Sequence, residues 1–457
     1  MFLHKNNYLL LFIFSSFINA QAVYSAYGVG DMLLSNNASV IGTGSVGLMP
    51  SFQRNISLSN PSTWINMPFA YVSINYGGLQ IQDKLNNQDN ILSGLHQFQF
   101  IVPIKGKYAF GISFQPYSSQ LYSLTSNNSE VKYIQQDTLN FNTSLNGGGG
   151  ISDLSFSLSA RIADKEKVAL KFNYLFGSSR KQIGYSFDER GNGLDDDFDG
   201  LIDEEGESSV NYFYNQRNIY DGTLINGYFS SDRIYIGKRN LTVSVSFNST
   251  LNTFRIKNYS FYPFEDINNN GYYDISDFPQ PAGNDSIPPN AIQSEYKDSF
   301  KPSQYVVGFN FELTELLNFQ AELSNWTDLA NSKNNVLSNM NYQLSDYQHF
   351  NVSLLRFARS LPRYWYESIH FRSGIFFREY NLKKHLSIED EYLKYNYNDI
   401  GLSIGLGIKF GLTKNQLDLG VNLINRSDSI NNDKFITNFN LGLTIGDIWF
   451  VKRRAKR

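Results

Sequence analysis

Polar and apolar residues alternate one for one over much of this chain. In 152–162 (SDLSFSLSARI), Leu154, Phe156, Leu158, Ala160 and Ile162 fall on one side, and Ser155, Ser157, Ser159 and Arg161 on the other. In 401–410 (GLSIGLGIKF), Leu402, Ile404, Leu406, Ile408 and Phe410 oppose Ser403, Gly405, Gly407 and Lys409. Segments 241–248, 416–423 and 435–445 repeat the pattern. A period of two with one apolar face marks a strand that gives only one of its sides to an apolar environment. One such strand fits a soluble sandwich as well as a membrane barrel.

Length and spacing separate the two. Most segments run about ten residues, close to the ~9–11 that a tilted strand needs to cross a bilayer. Strands are expected near 69–78, 94–104, 108–121, 150–163, 166–187, 207–237, 241–263, 302–313, 317–326, 346–359, 367–380, 399–410, 415–425 and 434–448. That is about fourteen, an even number, as bacterial barrels require. Connections after even-numbered strands are short, as at 104–107, 163–165 and 238–240. Those after odd-numbered strands are long, as at 122–149, 188–206, 264–301 and 327–345. Short periplasmic turns and long outer loops are the barrel asymmetry. The expected fold is therefore all-β: a transmembrane antiparallel β-barrel over 67–450, closed so that every backbone group in lipid is paired. Segment 207–237, with YDGTLINGY at 220–228, is too long for one plain strand, and a kink, a bulge or two extra strands stay open there. Gly147–Gly150 (GGGG) reads as a flexible connection leading into a strand.

Composition narrows the partners. The chain has 457 residues, no cysteine and a formal net charge of -3. No disulfide or thiolate metal site can form, and no basic face points to nucleic acid. Residues 1–20 read as a signal peptide: His4 and Lys5, then an apolar run from Tyr8 to Ile18, then INA ending at Ala20. No later apolar run reaches eighteen residues, so no transmembrane helix is expected. The expected location is the outer membrane of a Gram-negative bacterium, with membrane lipid as a partner. Trp449 and Phe450 would stand at an interface, and 451–457 would be a basic periplasmic tail.

Several stretches resemble the FadL-like family of outer-membrane long-chain fatty-acid transporters, particularly its divergent Bacteroidetes-type branch. SAYGVGDMLLS (25–35), GTGSVGLM (42–49) and SLSNPSTWINM (57–67) resemble its glycine-rich opening and its Asn-Pro-Ala element, here Asn60-Pro61-Ser62. FRSGIFFREY (371–380), DIGLSIGLGIKF (399–410), QLDLGVNLINRSD (416–428) and FNLGLTIGDIWFVKRR (439–454) resemble its last four strands. The resemblance covers about a third of the chain. It implies a fourteen-stranded barrel plugged by an N-terminal hatch, here 21–66, with Asn60 and Pro61 as the hatch motif. It also implies an apolar small-molecule ligand that leaves through an opening in the wall. Leu33, Leu34, Ile41 and Leu48 could line a pocket for it or pack the plug. Related barrels serve type IX secretion, which implies a secreted protein partner as the alternative.

Two loops carry the spacing of calcium loops. In 266–277 (DINNNGYYDISD), Asp266, Asn268, Asn270, the Tyr272 carbonyl, Asp274 and Asp277 stand where oxygen ligands wrap a hard cation, and Gly271 permits the turn. In 195–205 (DDDFDGLIDEE), Asp195, Asp197, Asp199, the Leu201 carbonyl and Asp203 follow the same spacing, with Glu205 offered as the closing ligand. The opposing reading is a pair of ordinary turns, since Asp, Asn and Gly are also turn formers. If calcium binds, it would staple the outer loops 188–206 and 264–301. No enzyme is expected: His4, His96, His349, His370 and His385 do not fall at metal-ligand spacing, and no nucleophile motif occurs. His370, Arg372 and Arg378 are expected to face the lumen. The leading expectation is a channel for hydrophobic small molecules such as long-chain fatty acids. The alternative is a non-transport barrel, either part of a secretion apparatus or a surface scaffold.

Overall fold

The computed structural model describes residues 25, 28–33, 37–83, 88–104, 106–125, 130–134, 137–187, 210–260, 264–265, 292–330, 342–359, 362–385, 392–411, 415–428 and 434–447. The signal segment 1–20, the tail 451–457, Trp449 and Phe450, and both calcium-type loops lie outside the described residues.

Fourteen strands form the wall: β1 (Ala70–Asp83), β2 (Gln88–Ile104), β3 (Tyr108–Ser119), β4 (Asp137–Ala163), β5 (Glu166–Phe187), β6 (Val210–Ile236), β7 (Arg239–Ser260), β8 (Pro302–Glu312), β9 (Leu317–Asp328), β10 (Tyr342–Arg356), β11 (Ile369–His385), β12 (Tyr392–Phe410), β13 (Asn415–Asp428) and β14 (Lys434–Asp447). Each pairs antiparallel with the next, and β14 returns to β1 from Lys434↔Asp83 to Asp447↔Ala70, closing the ring. Among the described residues no helix is long and apolar enough to cross a membrane.

Alternation sets the two faces. Leu402, Ile404, Leu406, Ile408 and Phe410 of β12 are exposed, whereas Ser403 is fully buried. On β4, Leu154, Phe156 and Leu158 face out, and Ser155, Ser157 and Ser159 face in. An exposed apolar outside with a polar inside is the membrane-barrel arrangement. The doubtful segment 207–237 is one strand of 27 residues, β6, paired continuously with β5. The irregularity falls in its pairing with β7, where the register shifts between Leu241/Val243, Thr250/Asn252 and Asn252/Arg255. GGGG is not a connection: Gly147–Gly150 lie inside the 27-residue β4, paired with Lys181–Ser178. Alternating side chains are absent there, so the pattern could not announce a strand.

β4 to β7 rise above the rest of the wall on the long-loop side. Short strands prolong this rise: Tyr122–Thr125 and Glu130–Ile134 on β4, Phe264–Glu265 on β6, and Ile292–Lys297 on β7.

Residues 37–66 run inside the ring. A short helix, α1 (Ala38–Ile41), is capped by Asn37, whose Oδ1 accepts from Ser39 N at 3.0 Å. It lies against β12 and β13, where Gly42 meets Gly405 so closely that a Cβ on either would strike the other's Cα. Farther on, wall side chains satisfy the backbone of this segment. The Glu322 carboxylate of β9 accepts from the N–H groups of Val46 (2.9 Å), Gly47 (3.1 Å) and Met49 (2.6 Å). Gln320 donates to the Pro50 carbonyl (2.7 Å), Arg372 to that of Ser51 (2.7 Å), and Asn351 to that of Thr43 (2.8 Å). Arg372 is itself paired with Asp418 at 2.8 Å. A non-repetitive chain inside a lumen must have its polar groups paired by side chains, because water reaches few of them.

Removing the Glu322 acceptor strands three buried N–H groups at ~1–3 kcal/mol each. Glu322→Ala should leave the barrel closed, with heat-modifiable migration retained, while 37–66 becomes protease-sensitive. Glu322→Gln should fall between. Unchanged resistance in Glu322→Ala would show that the carboxylate does not hold the segment.

Candidate functional site

Hatch-motif residues Asn60 and Pro61 sit deep in the lumen. Asn60 caps a 3-10 turn, Pro61–Asn66, with proline at its first position, where the missing N–H costs nothing. The Asn60 side chain accepts from Ser62 N (3.1 Å) and donates to the Leu48 carbonyl (2.8 Å). Ser62, where the family resemblance implies alanine, adds a hydroxyl that reaches Asn60 Oδ1 (2.8 Å) and Ser230 on β6 (2.7 Å). The Pro61 carbonyl accepts from Ser159 on β4 at 2.6 Å.

An apolar cavity of about 530 Å³ occupies the lumen toward the long loops. Leu79, Ile81, Leu344, Leu382, Ile424 and Ile436 line it. Of the four leucine and isoleucine positions in the inner segment, Leu33 reaches this cavity. Ile41 is buried in the inner segment, Leu48 packs against Met49 and Val306, and Leu34 lies outside the described residues. Two arginines stand in the cavity wall. Arg426 donates to Asp399 through Nε and Nη2 (2.7 and 2.9 Å), and its guanidinium lies 4.6 Å from the Tyr397 ring centre. Arg378 lies 4.1 Å over the Phe376 ring, and its Nε has no hydrogen-bond partner. Lumen-facing His370 and Arg372 serve elsewhere: the Ala358 N–H donates to His370 Nδ1 at 3.2 Å, and Arg372 holds the inner segment.

The cavity reaches a seam in the wall. β2 and β3 pair from Ile104↔Tyr108 only as far as Phe98↔Phe114. At the next position the side chains take over, with Gln97 Nε2 donating to Gln115 Oε1 at 3.1 Å. Beyond that the strands part, and Ser93–His96 and Pro116, Ser118 and Ser119 face the cavity from the two sides. Instead of β2, the edge of β3 takes Asp31 and Met32, paired with Ser119 and Ser118, and Leu33 N donates to Tyr117 O at 3.0 Å. The cause lies in the neighbouring strands. β3 is bulged between Pro116 and Ser118, and Gly149 (φ 99°), Gly150 (φ 151°) and Gly177 (φ 155°) take backbone conformations that a side chain would strain. This bend is what the GGGG stretch encodes, and no periodicity could have revealed it. Arg426 and Asp31 were equally hidden, because they come from strands far apart in sequence, whereas Arg378 stands in the lumen as expected.

The calcium-type residues Asp195, Asp197, Asp199, Leu201, Asp203, Glu205, Asp266, Asn268, Asn270, Tyr272, Asp274 and Asp277 all lie outside the described residues. Their anchors do not. Phe187 pairs with Val210, and Glu265 pairs with Tyr212, so both loops spring from the same raised part of the wall.

Several solved membrane barrels are similar in outline at low identity. A FadL homologue of Pseudomonas aeruginosa is 11% identical, with a TM-score of 0.49, covering 91% of this chain and 99% of its own. The toluene transporter TbuX of Ralstonia pickettii is 12% identical, with a TM-score of 0.45, covering 94% and 98%. The toluene transporter TodX of Pseudomonas putida is 10% identical, with a TM-score of 0.45, covering 93% and 97%. No curated protein sequence matches the chain. One family model, described as BamG, matches residues 3–456, almost the whole length, and the chain therefore belongs to the BamG family.

Proposed function

We propose that this barrel is an outer-membrane channel for hydrophobic small molecules. The observation that carries the reading is the apolar cavity of about 530 Å³ that runs to an unpaired seam between β2 and β3. An apolar solute held there gains from leaving water, and the seam offers a way out into lipid that avoids the filled lower lumen. Residues 37–66 act as the plug that blocks the straight path. Arg378 supports a ligand with an anionic head, long-chain fatty acids among them: its unpartnered Nε can donate to a carboxylate while the tail lies along Leu382 and Ile436.

Calcium belongs to the same reading. The carboxylate-rich loops 188–206 and 264–301 would bind it and so lose freedom that otherwise opposes their order. Their anchors lie on one raised part of the wall, which supports a shared role at the long-loop side.

A second reading, that of a barrel which binds a secreted or envelope protein, is favoured by one feature of the short-turn side. Between β10 and β11, Glu367 accepts from the Arg363 N–H (2.7 Å) and pairs with Arg359 (2.8 Å). This braced turn presents Tyr364, Trp365 and Tyr366, with Trp365 78% exposed. Fixed aromatic side chains suit a contact surface.

Proteoliposomes separate the readings. Uptake of a labelled long-chain fatty acid should exceed that of empty liposomes, and Ile436→Trp, which fills the cavity, should abolish it. Arg378→Met should cut fatty-acid uptake roughly 10-fold or more, the value of one charge-assisted hydrogen bond, and leave toluene uptake unchanged. No uptake by a folded wild-type barrel would sink the channel reading in favour of the binding one. For calcium, Asp266→Ala with Asp274→Ala should remove calcium-dependent protease resistance of loop 264–301; resistance indifferent to calcium in the wild type would overturn the staple.

A further inference from the structure

The outer face of the raised wall changes character along its length. On β5 the outward positions Leu170, Phe172 and Tyr174 are exposed apolar or aromatic side chains. Phe176 follows, stacked on Tyr174 with ring centres 5.4 Å apart. Exposed aromatic residues of this kind mark the edge of the apolar band on a membrane barrel. Farther toward the long loops, the next outward position on β5 is Ser178 and the one after it Arg180. Arg180 stands directly opposite Arg217 of β6, and Arg217 stands opposite Tyr259 of β7. Lys257, two residues before Tyr259, is the diagonal neighbour of Arg217 on the same face. Arg180, Arg217 and Lys257 are all exposed.

Like charges directly opposite on neighbouring strands destabilise a sheet, so two facing arginines call for an anion. The chain does not supply it. The paired and diagonal neighbours of Arg180 and Arg217 are Gly, Asn, Ser, Ile, Tyr, Gln and Lys residues, with no acid among them. Among the described residues neither arginine makes a hydrogen bond or an ion pair. The acids of this face are placed elsewhere: Glu295 opposite Lys257, and Asp221 opposite Arg255, where it is hydrogen-bonded to the Tyr174 side chain. Two guanidiniums side by side present sets of N–H donors that fit the oxygens of a phosphate, and Lys257 adds a compact charge. Position narrows the source. The cluster stands just beyond the stacked aromatic pair on the long-loop side, where the headgroups of the outer leaflet begin. That leaflet is built from phosphorylated glycolipid. Acyl chains hanging from such a headgroup would lie along Tyr174, Phe172 and Leu170 of β5 and Phe229 of β6, all exposed. We propose that Arg180, Arg217 and Lys257 form a site for a phosphorylated glycolipid of the outer leaflet, with a phosphate held between the two arginines. The site lies on the outside of the wall and is independent of what the lumen carries.

Native mass spectrometry of the full barrel in detergent, titrated with lipid A bearing two phosphates, tests the site. A bound adduct should form, and excess inorganic phosphate should not displace it. Lipid A stripped of its phosphates should bind at least tenfold more weakly. Arg180→Gln with Arg217→Gln should weaken binding of the phosphorylated form at least tenfold. Lys107→Gln with Lys165→Gln, exposed bases at the short turns, should leave it unchanged. A second measurement reads the opposed charges directly. Without lipid, Arg217→Gln should raise the temperature at which heat-modifiable migration is lost, and added lipid A should raise that temperature more in the wild type than in the variant. Equal binding of the two forms of lipid A, or equal binding by wild type and the double arginine variant, would overturn the proposal. Displacement by inorganic phosphate would overturn it too, and leave a site for a free anion.

Discussion

Backbone groups cannot go unpaired in hydrocarbon, and this one constraint shapes the molecule. It forces the sheet to close, so that β14 must return to β1 along fourteen residue pairs. It also makes any departure from pairing informative. The wall departs at the seam between β2 and β3, where Gln97 and Gln115 still hold each other through their side chains before the strands part. The inner segment satisfies part of the exposed edge by adding Asp31 and Met32 to β3. The opening is thus built by rerouting hydrogen bonds, with few of them discarded.

The same requirement governs the lumen. Residues 37–66 have little regular structure of their own, so the wall has to supply donors and acceptors. Glu322, Gln320, Asn351 and Arg372 do so from β9, β10 and β11. The result is a lower lumen sealed by polar bonds beneath an upper lumen lined by aliphatic side chains. A second cavity of about 150 Å³ lies nearer the short-turn side and shares Met32 and Leu33 with the first.

The wall was legible because its information is local. Leu402 to Phe410 or Leu154 to Leu158 declare a strand and its lipid face by alternation alone, and turn lengths order the strands. What escaped was whatever depends on backbone conformation or on distant partners. Gly147–Gly150 carries no side-chain pattern, so a bent strand looked like a linker. The long β6 looked suspect because its length exceeds a membrane crossing, but its 27 residues pair without a break with the equally raised β5. Asn60 and Pro61 were visible as a motif through family resemblance, yet the bond from Ser62 to Ser230 joins residues 168 apart in sequence. The cavity charges Asp31 and Arg426 belong to the same class.

That separation has a consequence for how the molecule is made. The inner segment comes early in the chain, but its anchors come late: Glu322 lies 276 residues after Val46, and Gln416 lies 364 after Phe52. Gly42 rests on Gly405 and Gly420, in strands near the end. Contacts of such long range form slowly, because the intervening chain must first be brought together. The segment that fills the lumen is therefore made well before the strands that complete its anchoring. Partners on β9 to β11 are available before then, but the helix gains its glycine seat only with β12 and β13. Completing its seat and closing the ring therefore draw on the same late strands, β12 to β14.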